Sequence, residues 1–167
     1  MLRNDDRLSI DGVAARAGAS KHTIYRRWAN KAELVVAVAV TRELPPVPDT
    51  GSLRGDLLAC ARAYVDGDER TERLLAGLLG EMQRNEVIRD AARTGLWAPY
   101  ADLFRTVLHR AVSQDLLPGD LDVETVAGIF PAMAFHSVVA QGKPVDEALV
   151  RRVIDGVVVP LVTRPSP

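Results

Sequence analysis

Apolar residues recur at helical rather than alternating spacing along most of this chain. Val13, Ala14 and Ala17 fall on one side of a short helix, with Ser9 as its cap and Asp11 in its first turn. Gly18 is suited to end it in the left-handed conformation. Ser20 caps a second short helix, which opens Lys21, His22, Thr23, Ile24, Tyr25 and turns Ile24 inward. Two short helices across a three-residue turn containing Gly are the signature of a helix-turn-helix. A third helix follows from about Lys31 to Arg42. Its valines, Val35, Val36, Val38 and Val40, favour a strand on propensity. Its place after two helices, and Glu33 near its start, make it helical.

Leu44 to Gly51, "LPPVPDTG", holds three prolines and a glycine and cannot continue a helix. A boundary here divides the chain into domains 1–44 and 45–167. Ser52 then caps a helix bearing Leu53, Leu57, Leu58, Ala61, Tyr64 and Val65. After "DGDER" a helix runs from about Glu69 to Arg84, and a longer helical region from Glu86 to Asp115, with Pro99 as its kink or restart. "LPGDLD" breaks the chain again. Two helices close it. One carries Val123, Val126, Ala127, Phe130, Met133, Ala134 and Val138. The other carries Leu149, Val150, Val153, Ile154, Val157, Val158 and Leu161, behind "QGKPVD" and a capping Asp146. The predicted fold is all-α.

Charge sharpens this division. The whole chain has a net charge of −1. Residues 1–44 hold eight Lys/Arg against five Asp/Glu, and residues 45–167 hold thirteen against seventeen. Between Ala14 and Asn30 there are four basic residues and no acid, and Lys31 follows. A surface built for salt bridges mixes signs; a cluster of one sign is a footprint for phosphate or simply a solvated face. Apolar residues make up 47% of the 167, enough for a folded core. No uninterrupted apolar run approaches a membrane span, and the start "MLRNDDRLSI" lacks the basic end and apolar stretch of a signal peptide. Cys60 is the single cysteine, so no internal disulfide forms. The expected compartment is the cytoplasm.

The stretch "VAARAGASKHTIYRRWANKAEL" resembles the TetR family of bacterial transcriptional regulators. The family's pattern is met by Val13 and Ala14, Ala17 and Gly18, Ser20, Ile24, Tyr25, Trp28, Lys31, Glu33 and Leu34. Ala19 departs from it, standing where the family usually has Val. The resemblance implies a helix-turn-helix DNA-binding domain followed by a helical ligand-binding and dimerisation domain. Carried onto this sequence, it implies DNA contacts from Ser20, Lys21, His22, Thr23, Tyr25, Arg26, Arg27 and Lys31. Lys21, His22 and Thr23 begin the recognition helix and are candidates for base edges. Thr23 also suits a thymine methyl. Tyr25 and Lys31 are candidates for phosphate, and Ile24 and Trp28 for the core. A carboxylate in this window would repel the DNA backbone.

The same resemblance implies a ligand-responsive regulator, usually a repressor, that binds a near-palindromic double-stranded DNA operator as a homodimer. The last two helices resemble the family's dimerisation pair, with Val126, Phe130, Met133, Val150, Val153, Ile154, Val157 and Leu161 at the interface. The alternative is that these stripes pack only within one protomer. A small-molecule effector would enter among Tyr64, Met82, Trp97, Tyr100, Phe104, Phe130, Met133 and His136, residues that equally suit plain core. An enzyme is not expected. His22, His109 and His136 are far apart and lack metal-ligand spacing, no nucleophile motif is present, and Cys60 sits on an apolar helical face. No cofactor, metal or membrane partner is expected.

Proteins with this motif usually carry a full amphipathic helix before it, of ~15 residues. Only "MLRNDDRL" precedes Ser9 here, which predicts a shortened first helix. The natural chain then begins upstream of Met1, or the reading head is loosened. Val13, Leu34, Val35 and Val38 would be left partly uncovered. A loosened head defines the alternative function, a helical dimer acting through protein or ligand binding.

Overall fold

A computed structural model of the chain describes residues 20–28, 33, 34, 37, 44–65 and 82–163. The first predicted helix and most of the predicted helices at 31–42 and 69–84 lie outside these residues. Every regular element among the described residues is helical.

Helix α1 spans Lys21–Arg27 and α2 spans Leu53–Arg62. Each begins where a serine side chain satisfies an orphan N–H of the first turn. Ser20 accepts from the Thr23 N–H, and Ser52 accepts from the Gly55 N–H, both at 3.1 Å. Glu33, Leu34 and Ala37 are helical despite the neighbouring valines, and Leu34 is buried. Residues 44–49 form no regular element, and Gly51 takes φ +84°, a conformation that favours glycine.

The region 86–113 is one continuous rod. Helix α3, Glu86–Ala92, passes through a π-helical turn, Arg93–Trp97, into α4, Ala98–Ser113. Pro99 lies just beyond that turn. Its ring clashes with a regular helical carbonyl behind it and it has no N–H to give, so the backbone widens there. The same arrangement recurs in the last rod. Helix α6, Glu147–Val153, passes through the turn Ile154–Val158 into α7, Val159–Val162, which contains Pro160. Helix α5, Val123–Phe135, carries Pro131 inside it and continues through the turn His136–Ala140. Helix α4 ends in a Schellman motif. The Leu116 N–H donates to Ala111 C=O and the Asp115 N–H to Val112 C=O, both at 3.0 Å, with Asp115 at φ 57° where glycine is commoner.

Helices α2, α4, α5 and α6 pack around one core. Leu57, Leu58 and Cys60 meet Phe104, Val107, Leu108, Val126, Phe130, Val150, Ile154 and Val158. Each of the largest of these removes about 1.5–3 kcal/mol of apolar surface from water. Exposed bidentate pairs lie over the seams: Arg54 with Asp155, Arg62 with Glu147, and Arg105 with Glu124. At such exposure they align helices more than they stabilise them.

Over Val123–Ala140 the continuous helix is long and apolar enough, by length and composition alone, to cross a membrane. Counting uninterrupted apolar runs missed it because Gly128, Pro131, His136 and Ser137 break the run. Only a third of it is buried, so it holds one face against the core and leaves another uncovered.

Cys60 is fully buried, and burial together with the nearby Asp56 charge pushes its thiol up to about 12. The native protein at pH 8 is therefore expected to react with a thiol reagent on the order of a hundredfold more slowly than the unfolded chain. Equal rates in the presence and absence of denaturant would contradict this packing.

Candidate nucleic-acid interface and aromatic cluster

Helix α1 is short, and Ile24 is its one buried side chain among those described. Ile24 is buried on one side. His22, Thr23, Tyr25, Arg26 and Arg27 are exposed on the others, Tyr25 by half of its surface. The cap preorganises the N-terminal end. Beyond the Thr23 N–H bond, the hydroxyls of Ser20 and Thr23 are paired at 2.9 Å. The Thr23 hydroxyl is thus engaged locally, which leaves its methyl as the group to offer a base. No acid stands in the first turn, and Arg26 and Arg27 occupy the last, where cations also suit the helix dipole. Trp28 is not the core residue expected from the sequence. It caps the C-terminus in extended conformation, is half-buried, and has the Arg27 guanidinium 5.3 Å from its ring centre. The Lys21 side chain and Lys31 lie outside the described residues.

The eight residues named for the effector divide among several places. Tyr64, Tyr100, Phe104 and Phe130 come together. Tyr64 lies 4.7 Å from Tyr100 and 5.2 Å from Phe130, ring centre to ring centre, and Phe104 stacks on Phe130 at 5.8 Å. The Tyr64 hydroxyl is buried without a hydrogen-bond partner, and burial raises its pKa far above the ordinary tyrosine value. A buried hydroxyl in that state costs about 1–3 kcal/mol. Trp97 belongs to a separate edge-on pair with Phe135 at 5.9 Å. Met82 is half-buried in the short helical piece 82–84.

Met133 and His136 leave the cluster altogether. Both line an open surface cavity of about 370 Å³ with Gln141, Lys143, Asp146 and Arg152, where His136 meets Gln141 at 3.2 Å. His136 is exposed, neither a core histidine nor a buried anchor. The inward residues of this rod are Val126, Ala127, Phe130, Ala134 and Ser137, and positions 133 and 136 fall off that arc. A stripe drawn to include Met133 merged two faces.

The same correction applies to the predicted dimer face. Val126, Phe130, Val150, Val153 and Ile154 are buried within the protomer, so they are core residues and cannot meet a partner. Met133, Val157 and Leu161 are the exposed members, at 40%, 48% and 48%. Gly128 and Gly156 face open space. Among the described residues no three His, Cys, Asp or Glu side chains converge as metal ligands would.

Sequence reasoning missed one group entirely. Asp56 is buried on α2 and accepts from the Thr50 N–H at 2.6 Å, the Thr50 hydroxyl at 2.7 Å and Arg110 Nη2 at 2.7 Å. Burial opposes its charge, but these donors and the Arg110 charge outweigh it and hold the carboxyl below the ordinary value. The signal was an acid set between Leu53 and Leu57 on an apolar face.

Comparison with known proteins agrees with this geometry. Residues 4–38 match the family described as bacterial regulatory proteins, tetR family. Residues 47–157 match the tetracyclin repressor-like C-terminal domain. The DNA-binding transcriptional repressor TetR of Mycobacteroides abscessus is 37% identical over 161 residues, covering 94% of this chain and 84% of that protein. An uncharacterized HTH-type transcriptional regulator of Mycobacterium tuberculosis is 30% identical, covering 95% and 80%. Among solved structures, the TetR family transcription regulator SCO0332 superposes with a TM-score of 0.67 at 30% identity, covering 91% of this chain and 88% of that one. GusR of Salmonella enterica shares the fold, with a TM-score of 0.65 at 16% identity and coverage of 95% and 86%. With a reading head and a helical body that match the two halves of one family, the chain belongs to the TetR family of bacterial transcriptional regulators.

Proposed function

We propose that this regulator is a cytoplasmic repressor that binds a near-palindromic operator as a homodimer and responds to a small molecule. The observation that carries the DNA reading is the capped helix α1, which turns Ile24 inward and leaves His22, Thr23, Tyr25, Arg26 and Arg27 exposed with no acid among them. His22 and the Thr23 methyl meet base edges, together with Lys21. Tyr25, Arg26, Arg27 and Lys31 hold phosphates, and Ser20 fixes the start of the helix. Residues 1–44 form the reading head and 45–167 the body.

The dimer is made by the uncovered faces of α5 and the last rod, around Met133, Val157 and Leu161, with Gly128 and Gly156 admitting close approach. This assignment accounts for the exposure of Met133 on α5 and of Val157 and Leu161 on the last rod. The effector enters at Tyr64, Tyr100, Phe104 and Phe130. It is a predominantly apolar molecule with an acceptor for the Tyr64 hydroxyl, because these rings belong to the apolar core cluster and that hydroxyl has no hydrogen-bond partner among the described residues.

Selection of bound duplexes from a random pool tests the DNA reading. The expected product is a pair of inverted half-sites whose centres lie about 34 Å apart or a multiple of it. A pool that stays random after repeated rounds would overturn the reading. His22→Ala is expected to relax base preference at one position of each half-site by about 1–3 kcal/mol, read from the enriched sequences.

A further inference from the structure

The segment between head and body is fastened rather than free. Leu44 packs partly against the body's core. Four residues on, Arg110 Nη2 donates to the Pro48 carbonyl, and Asp56 takes both the N–H and the hydroxyl of Thr50. Arg110 and Asp56 are themselves paired, so one buried carboxylate ties the linker to α2 and α4 together. Gly55 completes the seat. A Cβ there would lie 2.2 Å from Thr50 Oγ1 and 3.2 Å from Thr50 Cβ, so glycine is what lets the linker lie against α2.

We propose that Thr50, Asp56 and Arg110 are positioning residues for DNA recognition, fixing the path by which the chain passes from the reading head into the body. A two-headed reader places both recognition helices in register at once, so freedom in the linker must be frozen on binding. A fastened linker has already lost that freedom. The clamp also lies on the helices that carry the aromatic cluster. Helix α2 runs from Asp56 to the turn holding Tyr64, and α4 carries Tyr100, Phe104 and Arg110. Movement of α2 against α4 at the rings separates the two halves of the clamp.

This inference rests on the head being the DNA-binding element, and the test separates the two. The probe is the duplex enriched by the wild-type full-length protein, and the variant is Gly55→Ala. Alanine is the better helix former, and its Cβ drives Thr50 from its seat while also crowding the capping Ser52 Oγ, 2.8 Å away. Expected are faster exchange of the Thr50 amide, an unchanged dimer by sedimentation and a folded protein with a modestly lower thermal midpoint, as for a disturbed cap and two lost hydrogen bonds. Operator affinity falls by about tenfold to a hundredfold, the cost of fixing one or two freed residues. The salt slope is unchanged because no phosphate contact is lost. Thr50→Val, which keeps shape and removes the hydroxyl, moves affinity the same way by less. Operator affinity within twofold of wild type while Thr50 protection is lost would overturn the positioning role. Retained Thr50 protection in Gly55→Ala would overturn the seat itself. A wild-type protein that enriches no duplex fails earlier, at the DNA reading, and takes the inference with it.

Discussion

Val157→Asp is expected to turn the dimer into a monomer that is still folded. Val157 is half-exposed in the protomer, so its replacement leaves the core intact. In a twofold interface the change appears twice, once from each copy. Each carboxylate loses water against apolar neighbours, at several kcal/mol unless it is protonated or paired. A total near 4 kcal/mol raises the dimer dissociation constant about a thousandfold. Operator binding falls with it, since each half-site then binds alone. Three residues earlier, Ile154→Asp should behave differently. Ile154 is fully buried, and its loss unfolds the protomer instead of dissociating it. Sedimentation and helical signal together distinguish the two. A Val157→Asp protein that stays dimeric would place the interface elsewhere, and one that unfolds would place Val157 in the core.

Phe130→Ala is expected to carry a large stability cost in the body. The ring is buried between Tyr64 and Phe104, at 5.2 and 5.8 Å, where three helical segments meet. Removing it leaves a cavity that fixed helices cannot fill, costing about 3–5 kcal/mol. For a chain of this size that is a fall in thermal midpoint of roughly 6–20 °C, and a large share of a typical total stability of about 5–15 kcal/mol. Tyr64→Phe is the contrast. It removes only the unpartnered hydroxyl and is expected to leave stability unchanged or slightly raised. A cost below about 1 kcal/mol for Phe130→Ala, measured by denaturant midpoint, would show that the rings do not form one packed unit.

The caps were the most legible feature of this sequence. Ser20, Ser52 and Asp146 each stand one residue before a helix and each accepts a first-turn N–H. Capping is local chemistry and needs no tertiary information. The breaks at 44–51 and 117–122 were legible for the same reason, and Pro99 marked a real disturbance in the rod. What failed was the division of apolar residues between core and surface. On α5 and the last rod the apolar residues spread over more than one face, so periodicity could not separate residues that face the protomer's core from those left outside. That is why Val150 and Val157 were grouped together. The Asp56 clamp was illegible for a different reason. Its partners lie 6 and 54 residues away, and only the fold brings Thr50 and Arg110 to one carboxylate.

The aromatic cluster lies between these cases. Tyr64, Tyr100, Phe104 and Phe130 were named from residue type, and the packing of α4 against α5 and of α2 against α4 brings them together. Met133 and His136 were named on the same grounds, and their helical phase carries them outward. The unpartnered Tyr64 hydroxyl could not be read from the sequence, because any tyrosine near a helix end has water as its default partner.

Affinity for the enriched operator and for a scrambled duplex, measured across a salt series, tests sequence-specific DNA recognition by the basic head. The operator is expected to bind at least about a thousandfold more tightly than the scrambled duplex near physiological salt. Affinity for both falls steeply as salt rises, and Arg26→Ala or Lys31→Ala flattens the slope by about one unit. Equal affinity for the two duplexes, with no dependence on salt, would contradict it.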